Sequence, residues 1–465
     1  MNKNSHTDNH HPDEFLENLV NVKQVFLSFA AKISPVNFNL LLDNFANKSN
    51  DVFYFNQPDK GITFLSFDEL TIQTYKSSEF SKITSEIKLL KDKLISNHNE
   101  FPGIDFPVFL TCSKFPTNKS AEEWNDFGEI DFLIPKISLF KHYDSYFLLY
   151  NILTESFSSH ENLNEVLENH AEKIYQLESK LKENINSKNT ISFIEESDDK
   201  IKWDKKVSDL IKSIKQNEIE KVVLARRLKF STQTEINWQF IFNELDKKYP
   251  NCTNFLLKSG ESIFFGSTPE LLAGFTGNQF YTEALAGSIM RGTDEAADNK
   301  LESELLNSKK NNIEHYIVIN HIKSSLQNLL EKIEIDDNPT VKKFSNIQHL
   351  QTSVKGMLKK DTDIFDIISA LFPTPAVCGV PKEKSLQLIG EMEEFDRGLY
   401  SGLIGWFDCK GNGEFNVTIR SALINKNILY TYAGCGIVED SNPAEEFEET
   451  VLKFKPILSL FDNAN

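Results

Sequence analysis

The stretch that most constrains this chain is residues 432–453, Tyr-Ala-Gly-Cys-Gly-Ile-Val-Glu-Asp-Ser-Asn-Pro-Ala-Glu-Glu-Phe-Glu-Glu-Thr-Val-Leu-Lys. An apolar run broken by Gly434 and Gly436 leads into a helix start. Two closely spaced glycines let a backbone approach a ligand and expose its N–H groups. Ser441 or Asn442 can cap the helix, Pro443 suits its first turn, and the acids that follow sit where the helix dipole favours them. Phe447, Val451, Phe454 and Leu458 repeat with helical spacing and predict a buried stripe. Glu446, Glu449 and Lys453 form a second stripe. By spacing alone a solvated face with an ordinary Glu–Lys pair is the commoner arrangement. The glycine loop beside it shifts the balance, because backbone donors, two carboxylates and a lysine converging at one helix start suit a metal and an anionic ligand.

Composition narrows the rest. The chain has 465 residues, enough for one large domain with an appendage or for two domains. Its net charge of -18 argues against general binding to nucleic acid or an anionic membrane. An anionic ligand therefore needs a local positive pocket. Cys112, Cys252, Cys378, Cys409 and Cys435 are scattered, which reads as reduced cytosolic thiols. No apolar run reaches membrane-spanning length and the first dozen residues hold no apolar signal core, so a cytoplasmic protein is expected. Residues 1–12, with His10 and His11, read as a disordered tail.

Residues 13–200 hold three of the nineteen glycines and no arginine. Strands are predicted at 52–55, 62–67, 108–111 and 132–141, helices at 15–29, 80–96 and 161–186, and a linker at 187–200. This half carries no recognisable chemistry and reads as a structural half that completes a sheet and covers a site. Residues 203–460 differ in texture. A helix at 206–219 precedes a strand at 220–230, in which Lys221 shares a face with Val223 and Ala225. A lysine there either snorkels from the strand end or is buried, and a buried amine becomes a usable base. Glu270 follows Pro269 at a turn, where capping a helix start is the simplest role. A long helix is predicted at 296–331 with Glu314 and His315 midway, a strand at 345–356 with His349 and Thr352, glycine-studded strand at 395–407, and a strand at 414–424 with Arg420 on the face of Asn416 and Thr418. All five arginines (Arg226, Arg227, Arg291, Arg397 and Arg420) fall in this region. Where a lysine-rich chain keeps arginine, carboxylate binding or a buried ion pair is expected.

Nine segments in this order resemble the chorismate-utilising enzymes: Lys221-Val-Val-Leu-Ala-Arg226, Gly266-Ser-Thr-Pro-Glu-Leu-Leu272, Leu285-Ala-Gly-Ser288, Glu314-His315, His349-Leu-Gln-Thr352, Pro373-Thr-Pro-Ala376, Phe395-Asp-Arg-Gly-Leu-Tyr-Ser-Gly402, Val417-Thr-Ile-Arg-Ser-Ala422 and 432–453. The resemblance implies an α+β chorismate-binding fold, with large antiparallel sheets packed at a steep angle and helices outside. It also implies Mg²⁺ dependence. Glu314 and Glu449 correspond to the magnesium carboxylates, with Glu446 assisting through water. Gly287 and Lys453 correspond to groups holding the ring carboxylate of chorismate, and Arg420 and Gly434 to those holding the enolpyruvyl carboxylate. His349 lines the pocket. Lys221 corresponds to the base that activates water, and Glu270 to the acid that protonates the leaving hydroxyl.

Lys221 is similar to the water-using members, and Ala286 stands where aminodeoxychorismate synthases place a nucleophilic lysine. The implied activity is that of an isochorismate synthase feeding menaquinone or siderophore biosynthesis. Salicylate synthase is the alternative, and anthranilate synthase component I, which needs a glutaminase partner, a more distant one. A relative that binds without turnover is the non-enzyme reading, disfavoured by the intact Lys221, Glu270, Glu314 and Glu449 set. A monomer without a glutaminase subunit is expected. Lys309 and Asn311 depart from the acidic residues the family places before Glu314.

Overall fold

Strands from both ends of the chain share the same two sheets. The computed structural model describes residues 25–67, 70–76, 79–97, 107–154, 160–183, 187–216, 219–344 and 347–462. The expected tail at 1–12, and the expected helix at 15–29 up to residue 24, lie outside them. Among the described residues the larger sheet has fourteen strands and the smaller has ten. Pairing is antiparallel except where Val25–Ile33 meets Leu94–Ser96 and Asn189–Glu196 meets Phe461–Asp462.

In the larger sheet Lys221–Thr232 pairs with Ile428–Ile437, and the order then runs through Ser421–Asn425, Ser262–Thr268 and Thr253–Ser259 to the N-terminal strands, beginning with Asp51–Gln57 and Ile62–Phe67. In the smaller sheet Gly413–Val417 and Leu403–Asp408 lead to Val108–Ser113 and Ile130–Pro135. The period-2 alternation of strand side chains explains why these strands are apolar on both faces. Phe53, Phe55 and Phe64 pack toward the smaller sheet, where the Phe64 ring lies 5.4 Å from that of Trp406. Tyr54 and Leu65, on the alternate positions, pack under the helices Phe38–Lys48 and Trp238–Lys248. The mixed α+β architecture with large sheets is as expected.

Several local expectations change. Val25–Ile33 is a strand, because its aromatic and β-favouring residues pair along their length with Ser145–Thr154. The stretch expected as a linker contains the strand Asn189–Glu196, and the helix Lys200–Lys215 starts where the linker was to end. The long helix is two, Glu295–Asn307 and Lys309–Leu326, because the Ser308 hydroxyl accepts the Asn311 N–H and starts a new helix. In 395–407 only Leu403–Asp408 is strand.

The change that matters most is at 414–424. Gly413–Val417 lies in the smaller sheet and Ser421–Asn425 in the larger, so the chain crosses between them at 418–420. Arg420 makes the turn at φ 51°, in the left-handed region. A second crossing lies beside it, where Ser262–Thr268 of the larger sheet passes through Pro269 and Glu270 into Leu271–Thr276 of the smaller. The two crossings are tied together. Val417 N–H donates to the Glu270 carbonyl at 3.0 Å, and Ser267 N–H donates to the Arg420 carbonyl at 3.1 Å.

Candidate active site

The seam between the sheets is one wall of a pocket of about 720 Å³, its open mouth included. Glu270, Gly287, Glu314, His349, Arg420, Gly434 and Lys453 all line it. Lys221, Glu446 and Glu449 do not line it, but each is bonded to a lysine or glutamate of the same cluster.

On the seam, Glu270 is buried and its carboxylate accepts from the Thr374 hydroxyl at 3.1 Å. Burial, opposed by Thr374 and by the charges of Lys221 and Lys453, pushes its pKa to about 7. It caps no helix, since no helix starts there. Arg420 is buried, and its Nη2 donates to His349 Nε2 at 3.2 Å. A guanidinium only donates, so Nε2 accepts and the imidazole proton sits on Nδ1, facing the Ser288 hydroxyl at 2.8 Å. Burial first, then Arg420 and Lys453, hold His349 well below the usual histidine range. Arg226, Arg227, Arg291 and Arg397 each pair with a carboxylate. Among the described residues Arg420 has none, and its buried Nη1 has no hydrogen-bond partner. A buried donor without a partner is uncommon, which makes Arg420 a candidate ligand contact.

Gly287 sits at a bulge opposite His349 with φ +79°, which a side chain rarely tolerates. Asn311 supports the bulge, its Oδ1 accepting the Ser288 N–H at 3.1 Å. His315, beside Glu314, is buried against Thr352 at 2.8 Å and pushed to about 4 by burial. Its role is packing and helix placement.

The helix side is built from Lys309–Leu326 and Pro443–Leu458. Asn442 caps the latter, as expected, by accepting the Ala444 and Glu445 N–H groups. Of the expected apolar stripe, Phe454 is buried and Phe447 and Leu458 pack against the core, but Val451 is 37% exposed, and Glu446, Thr450 and Ile457 are buried as well. The polar groups go inward because each has a partner: Arg226 donates to Thr450 at 2.8 Å and Lys310 to Glu446 at 2.6 Å. Lys453 bonds Glu449 at 2.8 Å and the Gly434 carbonyl at 2.9 Å. Lys221, fully buried, donates to Glu314 at 2.8 Å.

The glycines form no loop. Gly434 and Gly436 lie inside Ile428–Ile437, opposite Ala225 and Val223. Gly436 is required for space: a Cβ there would lie 2.6 Å from Glu314 Oε1 and 2.6 Å from Lys221 Cε.

Glu314, Glu446 and Glu449 offer only hard oxygen donors. Burial first, then the Glu449 charge, raises the Glu446 pKa, which means the two carboxylates repel each other. A divalent cation relieves such repulsion. Among the described residues no three His, Cys, Asp or Glu side chains close on one point. Mg²⁺ needs only one or two protein carboxylates, with waters and a ligand oxygen completing its shell, so the donor set fits it. The sequence did not single out Ser288, Thr374, Lys310 or Tyr400. Ser288, Thr374 and Tyr400, the last of which lines the pocket, stood inside the matched segments, but without contacts none had a readable role.

Two sheets crossing at a pocket with an arginine, a lysine and a half-neutral carboxylic acid define an enzyme site for a small multi-acid ligand. The chain belongs to the chorismate binding enzyme family, whose description matches residues 14–462. It is 32% identical to isochorismate synthase MenF of Bacillus subtilis over 94% of this chain and 93% of that one. It is 39% identical to the salicylate biosynthesis isochorismate synthase of Pseudomonas aeruginosa over 54% of this chain and 52% of that one. Among solved structures, a putative 2,3-dihydroxybenzoate-specific isochorismate synthase, DhbC from Bacillus anthracis, superposes with a TM-score of 0.69 at 25% identity, covering 91% of this chain and 99% of the other. The menaquinone-specific isochorismate synthase MenF from Escherichia coli shares the fold, with a TM-score of 0.75 at 22% identity, covering 97% and 99%. Among the described residues no helix is long and apolar enough to cross a membrane.

Proposed function

We propose that this protein is an isochorismate synthase, an isomerase that adds water at C2 of the chorismate ring and expels the C4 hydroxyl. The observation that carries the reading is Glu270, a carboxylic acid with a pKa of about 7 in the pocket wall, together with the buried Lys221, which is bonded to the pocket-lining Glu314. Lys221, in its neutral amine form, takes the proton from the attacking water. Glu270 gives a proton to the departing hydroxyl, which leaves as water, so ring composition is unchanged. Ala286 in the pocket wall supplies no amine nucleophile, which favours water. Arg420 receives the enolpyruvyl carboxylate on its unpartnered Nη1, beside Gly434. His349, proton on Nδ1, keeps the guanidinium in place. Lys453 and the Gly287 backbone receive the ring carboxylate.

Glu314 and Glu449 would hold Mg²⁺, with Glu446 acting through water. The ion, when bound, supplies electrostatic stabilisation to the ring carboxylate. The product serves menaquinone or siderophore biosynthesis, and the cell compartment is the cytoplasm. The test is incubation with chorismate and Mg²⁺ followed by chromatography. Isochorismate alone is expected. Salicylate with pyruvate would replace this reading by salicylate synthase, and anthranilate formed with ammonia by an amine-transferring enzyme.

A further inference from the structure

We propose that Lys310 is a resident counter-ion that holds the glutamate cluster together while the metal is away and competes with Mg²⁺ for it. The ion then seats only as the Lys310–Glu446 pair opens. This rests on the magnesium assignment above.

Lys310 lies in the first turn of Lys309–Leu326, behind the Ser308 cap. A cation there meets the positive end of the helix dipole, so the local helix gives it no support. Its support is tertiary. Nζ donates to Glu446 Oε1 at 2.6 Å, and the charges of Glu449 and Glu314 attract it as well. Its one direct contact is with Glu446, and the other two carboxylates assigned to the metal act on it through their charge.

The three lysines of the cluster are not equally held. Lys221 is 1% exposed at its side chain, so it cannot swing out into bulk solvent. Lys453 is tied twice, to Glu449 and to the Gly434 carbonyl. Lys310 has, among the described residues, the single hydrogen bond to Glu446. Its side chain is 25% exposed while that of Glu446 is 1% exposed. The lysine is therefore the member of the pair that can leave. Two cations cannot occupy the same carboxylate oxygen, so a hard ion drawn to Glu446 and Glu449, directly or through water, works against Lys310. Without either cation, two buried carboxylates would face each other uncompensated.

The test uses the full-length protein without chorismate. Calorimetric titration of Lys310→Met with Mg²⁺ should give binding roughly tenfold tighter than in the unaltered protein, the scale expected for removing one unit charge a few ångströms from a divalent ion. In EDTA the variant should melt earlier, and Mg²⁺ should raise its Tm by more than it raises that of the unaltered protein. Lys310→Arg, which keeps the charge, should keep the original affinity. A measurement on the unaltered protein removes dependence on the folding of any variant: acylation of Lys310 by an amine-reactive ester, read by mass spectrometry, should rise severalfold when Mg²⁺ is added. Unchanged or weaker Mg²⁺ binding by folded Lys310→Met, or acylation indifferent to Mg²⁺, overturns the proposal. Absence of Mg²⁺ binding by the unaltered protein overturns it together with the metal assignment. Failure of the isochorismate reading is seen separately, in product analysis.

Discussion

The two sides of the pocket handle charge in opposite ways. On the seam, Glu270 and Arg420 sit where the backbone crosses between sheets. They are buried and only part-satisfied, one pushed toward its neutral form and the other with an unpartnered Nη1. On the helix side every assigned carboxylate has a lysine: Glu314 with Lys221, Glu449 with Lys453, Glu446 with Lys310. The seam leaves its polar groups short of partners, at some cost in stability. The helices keep theirs compensated by lysines. One side of the candidate site is therefore part-satisfied, and the other is charge-paired.

The comparison is broken most directly at Lys221, which belongs to the helix-side cluster through Glu314 but is assigned the chemistry. Lys221→Ala should lower kcat by roughly three orders of magnitude, the upper range for general acid–base catalysis, with the far-ultraviolet dichroism of the native fold retained. Near-normal isochorismate formation by that variant would remove the assignment. Glu270→Gln comes next, with a loss of about a hundredfold. The unaltered enzyme needs Glu270 protonated, so its rate should fall as pH rises through about 7, and the variant's pH profile should lack that limb. A limb that persists in Glu270→Gln assigns the titration to another group.

Arg420→Lys should act on binding. Losing a charged hydrogen bond of about 1.5–3 kcal/mol predicts a rise in KM of roughly ten- to a hundredfold with a smaller change in kcat. Steady-state kinetics separates the two, and an unchanged KM would mean that the unpartnered Nη1 is not a ligand contact. Glu449→Ala should abolish the Mg²⁺ dependence of whatever activity remains; a titration curve identical to the parent's counts against that site. The smallest effect expected is on stability. Gly436→Ala forces a methyl against the Lys221–Glu314 pair and should cost about 1–3 kcal/mol, read as a lowered Tm. A Tm at or above the parent's would mean that the pair has room to move.

The sequence was most readable where chemistry depends on residue type at a fixed spacing. Asn442 and Pro443 announced the helix start, and the spacing of Glu446, Glu449 and Lys453 announced a charged row on that helix, because capping and helical periodicity are local. The expected apolar stripe failed at Val451 for a non-local reason. Which face of Pro443–Leu458 turns inward depends on Arg226 and Lys310, more than a hundred residues away, which make it favourable to bury Thr450 and Glu446. The glycines at 434 and 436 were legible as required, but not for what: they lie in a strand and make room for side chains from other elements. The arginine clustering held its meaning better, since four of the five found carboxylates and the fifth was left open.

By itself, the order of side-chain types determined the family, the α+β class and which groups are chemically suited to act. The tertiary structure alone decided that the 414–424 segment is two strands in two sheets, that Glu270 and Arg420 meet at linked crossings, and that each glutamate starts with its own lysine. The physical reason is that spacing along a chain fixes only what neighbours within a turn or a pleat can do. Burial, and with it the pKa of a carboxyl or the loneliness of a guanidinium, is set by segments hundreds of residues apart that pack against one another.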